Sequence, residues 1–244
     1  MRNTGFRVEV ARRSYREDVE PESRVLREVE GEASPEEWLP LFTDVHDCLL
    51  ALSAGTDIRP VVAGAAAYAL HIEADPTKDI DFVLSRPLEV GRLVDLLNML
   101  TQLLRERGWR VIGGRVQQGR GSEDWVVQTF VVVRPGRVVG LEVFNLLAVR
   151  PLALYEVEEI MYLERRFLTL TRESWVASKL ADPNGVTERN LRRLERMVES
   201  GIDETKLFQT LMRLSLNEVV QNNAKDMLRR TKNEKLKRIL SILV

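Results

Sequence analysis

The chain has 244 residues, enough for one large domain or two modest ones. Its 44% hydrophobic content allows a sizeable core, while 30% charged residues at a net charge of only −1 argue against a general electrostatic grip on nucleic acid. A single cysteine, Cys48, excludes an intramolecular disulfide, and no apolar run approaches the length of a membrane span.

In chain order, the opening MRNTGFRVEVARR lacks the apolar stretch of a signal peptide, so a cytoplasmic protein with no membrane attachment is expected. Its Arg and Glu content suits ion-pair networks and suggests a thermophilic source. Residues 1–33 read as a charged arm. Phe6 to Val10 alternate apolar and polar as an edge strand would, and the remainder is a surface arm or a short helix. Arg12 and Arg13 in this arm read as a solvated face, the alternative being contact with a partner.

A helix is predicted over 34–55. Ser34 can cap it, Pro35 fits its first turn, and Glu36 and Glu37 suit the positive end of its dipole. Trp38, Leu41, Phe42, Val45, Leu49 and Leu52 form its apolar face, with Cys48 as a core residue. His46 and Asp47 are expected at its surface.

Residues 61–84, VVAGAAAYALHIEADPTKDIDFVL, organise the rest. Val61-Val62-Ala63 reads as the end of a buried strand, Gly64 as a turn, and AAAYAL as a short buried helix. A free helix N-terminus after a glycine turn favours polyphosphate. After a polar turn comes a second strand, Asp79-Ile80-Asp81-Phe82-Val83-Leu84. Carboxylates two apart on a strand share a face, roughly 6–7 Å apart along it. Two ionised groups in such a strand are costly unless something positive lies between them, and oxygen-rich sites suit Mg²⁺ or Mn²⁺. The alternative is a solvated edge strand. His71, at the end of the short helix, reads as a structural histidine.

Ala63-Gly64-Ala65, a gap over 66–78, then Asp79-Ile80-Asp81-Phe82, resembles the nucleotidyltransferase superfamily of the polymerase-beta type. GAAAYALH followed by PTKDIDFVL is most similar to its small prokaryotic AbiEii-like members. The resemblance implies an α+β fold: a mixed β-sheet flanked by helices, followed by a C-terminal helical domain. It also implies an enzyme that moves a nucleoside monophosphate from an NTP to a hydroxyl on tRNA, a protein or a small molecule. Asp79 and Asp81 would be catalytic metal ligands for Mg²⁺ or Mn²⁺. Gly64, Ala65, Thr77 and Lys78 would hold the triphosphate. Toxin-like members further imply an antitoxin-like partner. The second small residue of the family's pair is alanine here, and Asp75 replaces an arginine common among relatives. Both departures keep open a catalytically weak nucleotide- or partner-binding module.

Beyond the signature, a helix is predicted over 87–107, ended by Gly108, then a strand at 109–114. The loop at 117–124 contains glycine but lacks the Gly-Lys-Ser/Thr ending of a P-loop. Arg115 and Arg120 are candidates for substrate contact. Two strands, 125–133 and 137–147, are joined by Pro135-Gly136, a hairpin signal. In the second, Glu142 stands alone among apolar residues. It matches the position of the family's third metal-binding acid, usually Asp; the alternative is an outward-facing charge.

From 151 onward the chain reads as mostly helical, giving a division into 1–33, 34–150 and 151–244. Residues 153–167 read as a short strand or a helix. Thr171 caps a helix that Asn184-Gly185 stops. Lys179 on this helix, followed by Leu180, matches a Lys-Leu pair of the toxin-like relatives and joins the triphosphate-binding candidates. The acid those relatives carry farther on is Asn190 here. The tail predicts two amphipathic helices, with Leu216, Val220, Ala224 and Met227 on one face and Leu236, Ile239, Leu240 and Leu243 on another. Its basic end suits RNA or an acidic partner, or more commonly a solvated face covering a homo-oligomer or domain contact.

Overall fold

A computed structural model describes residues 11–12, 31–118, 124–215 and 217–244. In chain order its elements are β1 (Ala11–Arg12), α1 (Pro35–Ser53), β2 (Pro60–Ala63), α2 (Gly64–His71), β3 (Asp79–Leu84), α3 (Val90–Glu106) and β4 (Arg110–Gln118). There follow β5 (Trp125–Arg134), β6 (Arg137–Phe144), β7 (Val157–Tyr162) and β8 (Arg165–Leu170). Five helices complete the chain: α4 (Arg172–Leu180), α5 (Glu188–Glu199), α6 (Glu204–Arg213), α7 (Glu218–Arg230) and α8 (Glu234–Leu243). The architecture is the expected α+β one. The strand foreseen at Phe6 to Val10, the side chains of Arg12 and Arg13, Arg120 and Leu216 lie outside the described residues.

The chain forms two compact units, one of residues up to Pro60 with Asp75–Leu146, the other of Val61–Ala74 with Leu147–Val244. The Gly64 helix thus clusters with the C-terminal part of the chain, not with the Asp79 strand.

In the first unit the strands run in the order β1-β4-β5-β6-β3. The pairs β4–β5 and β5–β6 are antiparallel; β3 joins β6 in parallel, and β1 joins β4 in parallel. Alternation gives this sheet two unlike faces. One carries Ile80, Phe82, Leu141, Val143, Val127, Val131 and Val116, all buried with Trp38, Phe42 and Val45 of α1 and Leu93, Leu97, Leu100 and Leu104 of α3. Phe42 stacks on Phe82 with ring centroids 5.8 Å apart. Burying several such side chains at about 1.5–3 kcal/mol each drives the sandwich of two helices on this face. The α1 start is as expected: the Glu37 carboxylate accepts from the Ser34 N–H at 2.7 Å, with Pro35 in the first turn.

His46 corrects the sequence expectation. It is 2% exposed and stacks on Phe82 at 6.4 Å between centroids. Phe42 in the apolar stripe of α1 packs on Phe82 of β3, and residue 46 lies one turn beyond 42 on the same side. Asp47 is half-buried. Cys48 is a core residue, and burial pushes its thiol pKa up. The strand foreseen at 109–114 continues to Gln118, past a register irregularity between Val111 and Gly113.

In the second unit β2 pairs with β8 in parallel and β7 with β8 antiparallel. Residues 153–167, open between strand and helix, contain most of this β7–β8 hairpin. The five helices after it begin on Thr171, Thr187, Asp203, Asn217 and Asn233, whose side chains accept N–H groups of Ser174, Asn190, Lys206, Val220 and Leu236. Each such cap stabilises its helix by about 1 kcal/mol. Val220, Ala224 and Met227 are buried, as are Leu236, Ile239, Leu240 and Leu243, which are the two faces predicted for the tail. The helix capped by Thr171 ends at Leu180, before Asn184-Gly185.

Candidate functional site

The second face of the first unit's sheet carries the acids. β3 and β6 run parallel, with Asp79 opposite Gly140 and Asp81 opposite Glu142. Glu142 in turn pairs with Gln128 on β5, and Gln128 with Arg115 on β4. Partners across a sheet share a face, so one row runs Arg115, Gln128, Glu142, Asp81, and the next Gly113, Phe130, Gly140, Asp79. Asp79, Asp81 and Glu142 are half-buried, in contrast to the sealed apolar face behind them. Three carboxylates on one open face are an arrangement no packing argument calls for.

Hydrogen bonds tie the row together. Gln128 Nε2 donates to Glu142 Oε1 at 2.5 Å. Arg115 Nε donates to Gln128 Oε1 at 2.8 Å, and Gln117 Nε2 donates to the same oxygen at 3.3 Å. The Arg115 guanidinium also lies 5.9 Å from the centre of the Phe130 ring. Gly140 gives Asp79 its room, since a Cβ there would stand 2.6 Å from Asp79 Oδ1. The oxygen donors suit a hard divalent cation. Their placement does not gather them, however: among the described residues no group of three or more His, Cys, Asp or Glu is arranged to hold a metal.

Thr77 and Lys78 lie in the same unit just before β3. Thr77 is 1% exposed, and its hydroxyl donates to the Asp79 carbonyl at 2.9 Å. Its backbone N–H and C=O both pair with Ala33. Thr77 therefore shapes the entry to β3. Lys78 is exposed. Asp75 is half-buried, and its carbonyl accepts from the Trp38 indole at 3.0 Å.

Gly64, Ala65 and Lys179 belong to the second unit. Gly64 opens α2 at φ +56°, a conformation that favours glycine, and Ala65 behind it is buried. Trp175 joins these residues. Its indole N–H donates to the Gly64 carbonyl at 2.8 Å, and the Lys179 ammonium lies 5.6 Å from its ring centre. Trp175 also meets Tyr68 at 5.8 Å, and the buried Arg193 lies over the Tyr68 ring at 5.4 Å. His71 Nε2 is 2.7 Å from the Leu170 carbonyl, which fixes it as the donor. Burial pushes the His71 pKa down, as suits a structural neutral imidazole. The roles of Trp175, Gln128 and Gly140 carry no sequence signal, because their partners lie far along the chain.

No protein-family model matches the chain, and no curated protein does. Solved structures do. A nucleotidyltransferase-like antigenic protein from Paracoccidioides brasiliensis superposes with a TM-score of 0.51 at 16% identity, over 86% of this chain and 95% of that one. A lincosamide antibiotic adenylyltransferase, solved with lincomycin, gives a TM-score of 0.41 at 10% identity over 70% of this chain and 100% of its own. Terminal uridylyl transferase 4 from Trypanosoma brucei gives 0.31 at 16% identity, and the match spans 85% of this chain but only 54% of that enzyme. The first likeness shows the fold: this chain has the nucleotidyltransferase fold.

Proposed function

We propose that this chain is a metal-dependent nucleotidyltransferase of the polymerase-beta type, close to the small prokaryotic AbiEii-like group. The observation that carries the proposal is the register of β3 against β6. It sets Glu142, 61 positions away in the chain, directly beside Asp81 on the open face of the sheet. That is where the resemblance requires a third acid. The reaction is attack by an acceptor hydroxyl oxygen on the α-phosphorus of an NTP. A new P–O bond forms, the α-phosphorus-to-bridging-oxygen bond breaks, and pyrophosphate leaves.

Asp79 and Asp81 are the residues that would hold Mg²⁺ or Mn²⁺, with Glu142 beside them. The cation supplies Lewis acidity at phosphoryl oxygens and charge neutralisation. Glu142 takes the proton of the attacking hydroxyl. Lys78 would contact the polyphosphate, while Thr77 supports β3; anion binding by Gly64, Ala65 and Lys179 is proposed within the second unit alone. The acceptor is a hydroxyl of tRNA, a protein or a small molecule. A cytoplasmic location and an antitoxin-like partner are further parts of the proposal. No helix of the described residues is long and apolar enough to cross a membrane.

A second reading is a nucleotide- or partner-binding module with little chemistry. Three departures from the resembling pattern favour it, Ala65, Asp75 and Asn190. Asp81→Ala separates the two. With NTP, Mg²⁺ and total small RNA as acceptor, wild type should release pyrophosphate, and the variant should lose about three orders of magnitude. Its circular dichroism should be unchanged, because Asp81 is half-buried. Equal release by the variant overturns the assignment.

A further inference from the structure

Gln128 breaks the pattern of its strand. β5 reads WVVQTFVVVR, and Gln128 sits in its middle at 8% exposure, where a hydrophobe would pack at lower cost. A buried amide is retained only if its donors and acceptors are used. Here they are. Its oxygen accepts from Arg115 Nε and from Gln117 Nε2, itself 5% exposed, and its nitrogen donates to Glu142 Oε1. Arg115 can only donate, so the amide has one orientation: oxygen toward Arg115, nitrogen toward Glu142.

This orientation matters because of what Glu142 is. A glutamate carboxylate stands one methylene farther from its backbone than an aspartate's, with one more rotatable bond to hold. A longer carboxylate reaches farther and must be fixed by something else. The donor amide of Gln128, locked from behind by Arg115 and Gln117, fixes it. We propose that Gln128 is a positioning residue that braces the Glu142 carboxylate through its Nε2–H, compensating for the glutamate at this position. The proposal rests on the catalytic role assigned to Glu142, whereas the brace itself is a property of the sheet.

The test is a double-mutant cycle of wild type, Gln128→Leu, Glu142→Gln and the double variant, read in two ways. Pyrophosphate release should fall about 10–100-fold in Gln128→Leu, while the Kd for Mg²⁺–NTP stays within about twofold. The double variant should be no slower than Glu142→Gln alone. Gln128→Glu, which offers no donor and adds a like charge, should be slower than Gln128→Leu. The second reading is thermal unfolding, where the two substitutions should couple: the Tm loss of the double variant is smaller than the sum of the single losses. Additive Tm losses, or full turnover in Gln128→Leu, overturn the brace. Coupled Tm losses with no pyrophosphate release by wild type leave the brace standing and overturn nucleotidyl transfer instead.

Discussion

Gly140 stands opposite Asp79, and a Cβ there would lie 2.6 Å from the Asp79 carboxylate oxygen. Gly140→Ala should therefore displace that carboxylate while leaving the strand intact. Displacements of this kind cost about 10²-fold when they move a catalytic group by an ångström. The prediction is a 10–100-fold weaker Kd for Mg²⁺–NTP, with no further loss when Gly140→Ala is added to Asp79→Ala. Unchanged binding in Gly140→Ala would mean that Asp79 is not a ligand of the complex. At this scale, what a sequence can show is what lies close along the chain. Asp79 and Asp81 are two apart on one strand and could be recognised at once. Gly140 and Gln128 owe their meaning to cross-strand neighbours dozens of positions away, and nothing local marks either. The burial of His46 has the same cause, since the ring that covers it belongs to Phe82.

The elements that could be read carry their own punctuation. Ser34-Pro35-Glu36-Glu37 and Thr171 announce helices that form where expected, and Pro135-Gly136 joins β5 to β6. The β7–β8 hairpin carries none. Its turn residues, Leu163 and Glu164, have φ of +47° and +60°, where Asn-Gly would be usual. Left-handed backbone at a non-glycine residue costs of order 1 kcal/mol or more. The strain is held by six register pairs from Val157↔Leu170 to Tyr162↔Arg165. Replacing Leu163→Asn with Glu164→Gly should thus stabilise the protein by about 1 kcal/mol in urea denaturation. A destabilised double variant would show that the exposed Leu163 side chain contributes more than its backbone costs. The full length of β4 was likewise hidden. Gly113-Gly114 reads as the end of a strand, yet a Cβ at Gly114 would meet Leu97 at 2.8 Å, so the glycine serves close approach of α3 within a continuing strand.

For the molecule as a whole, the α+β class and the nucleotidyltransferase fold followed from one stretch, residues 61–84, in which a glycine turn and an Asp-x-Asp strand occur at a fixed gap. The assignment of that stretch to compact units did not follow from it, because clustering depends on packing rather than on order in the chain. Charge balance left the partner open: 36 basic and 37 acidic residues leave a net charge of only −1, and some of them pair at the surface. The surface pairs Arg107–Asp44 and Arg230–Glu188, both 2.8 Å, are examples. The central claim is that Asp79 and Asp81 make an NTP site through a divalent cation. Calorimetric titration with each NTP and Mg²⁺, comparing wild type with the double variant Asp79→Ala, Asp81→Ala, tests it most directly. The claim predicts saturable, Mg²⁺-dependent binding of at least one NTP by wild type and none by the variant. Equal binding by both proteins, or none by either, would contradict it.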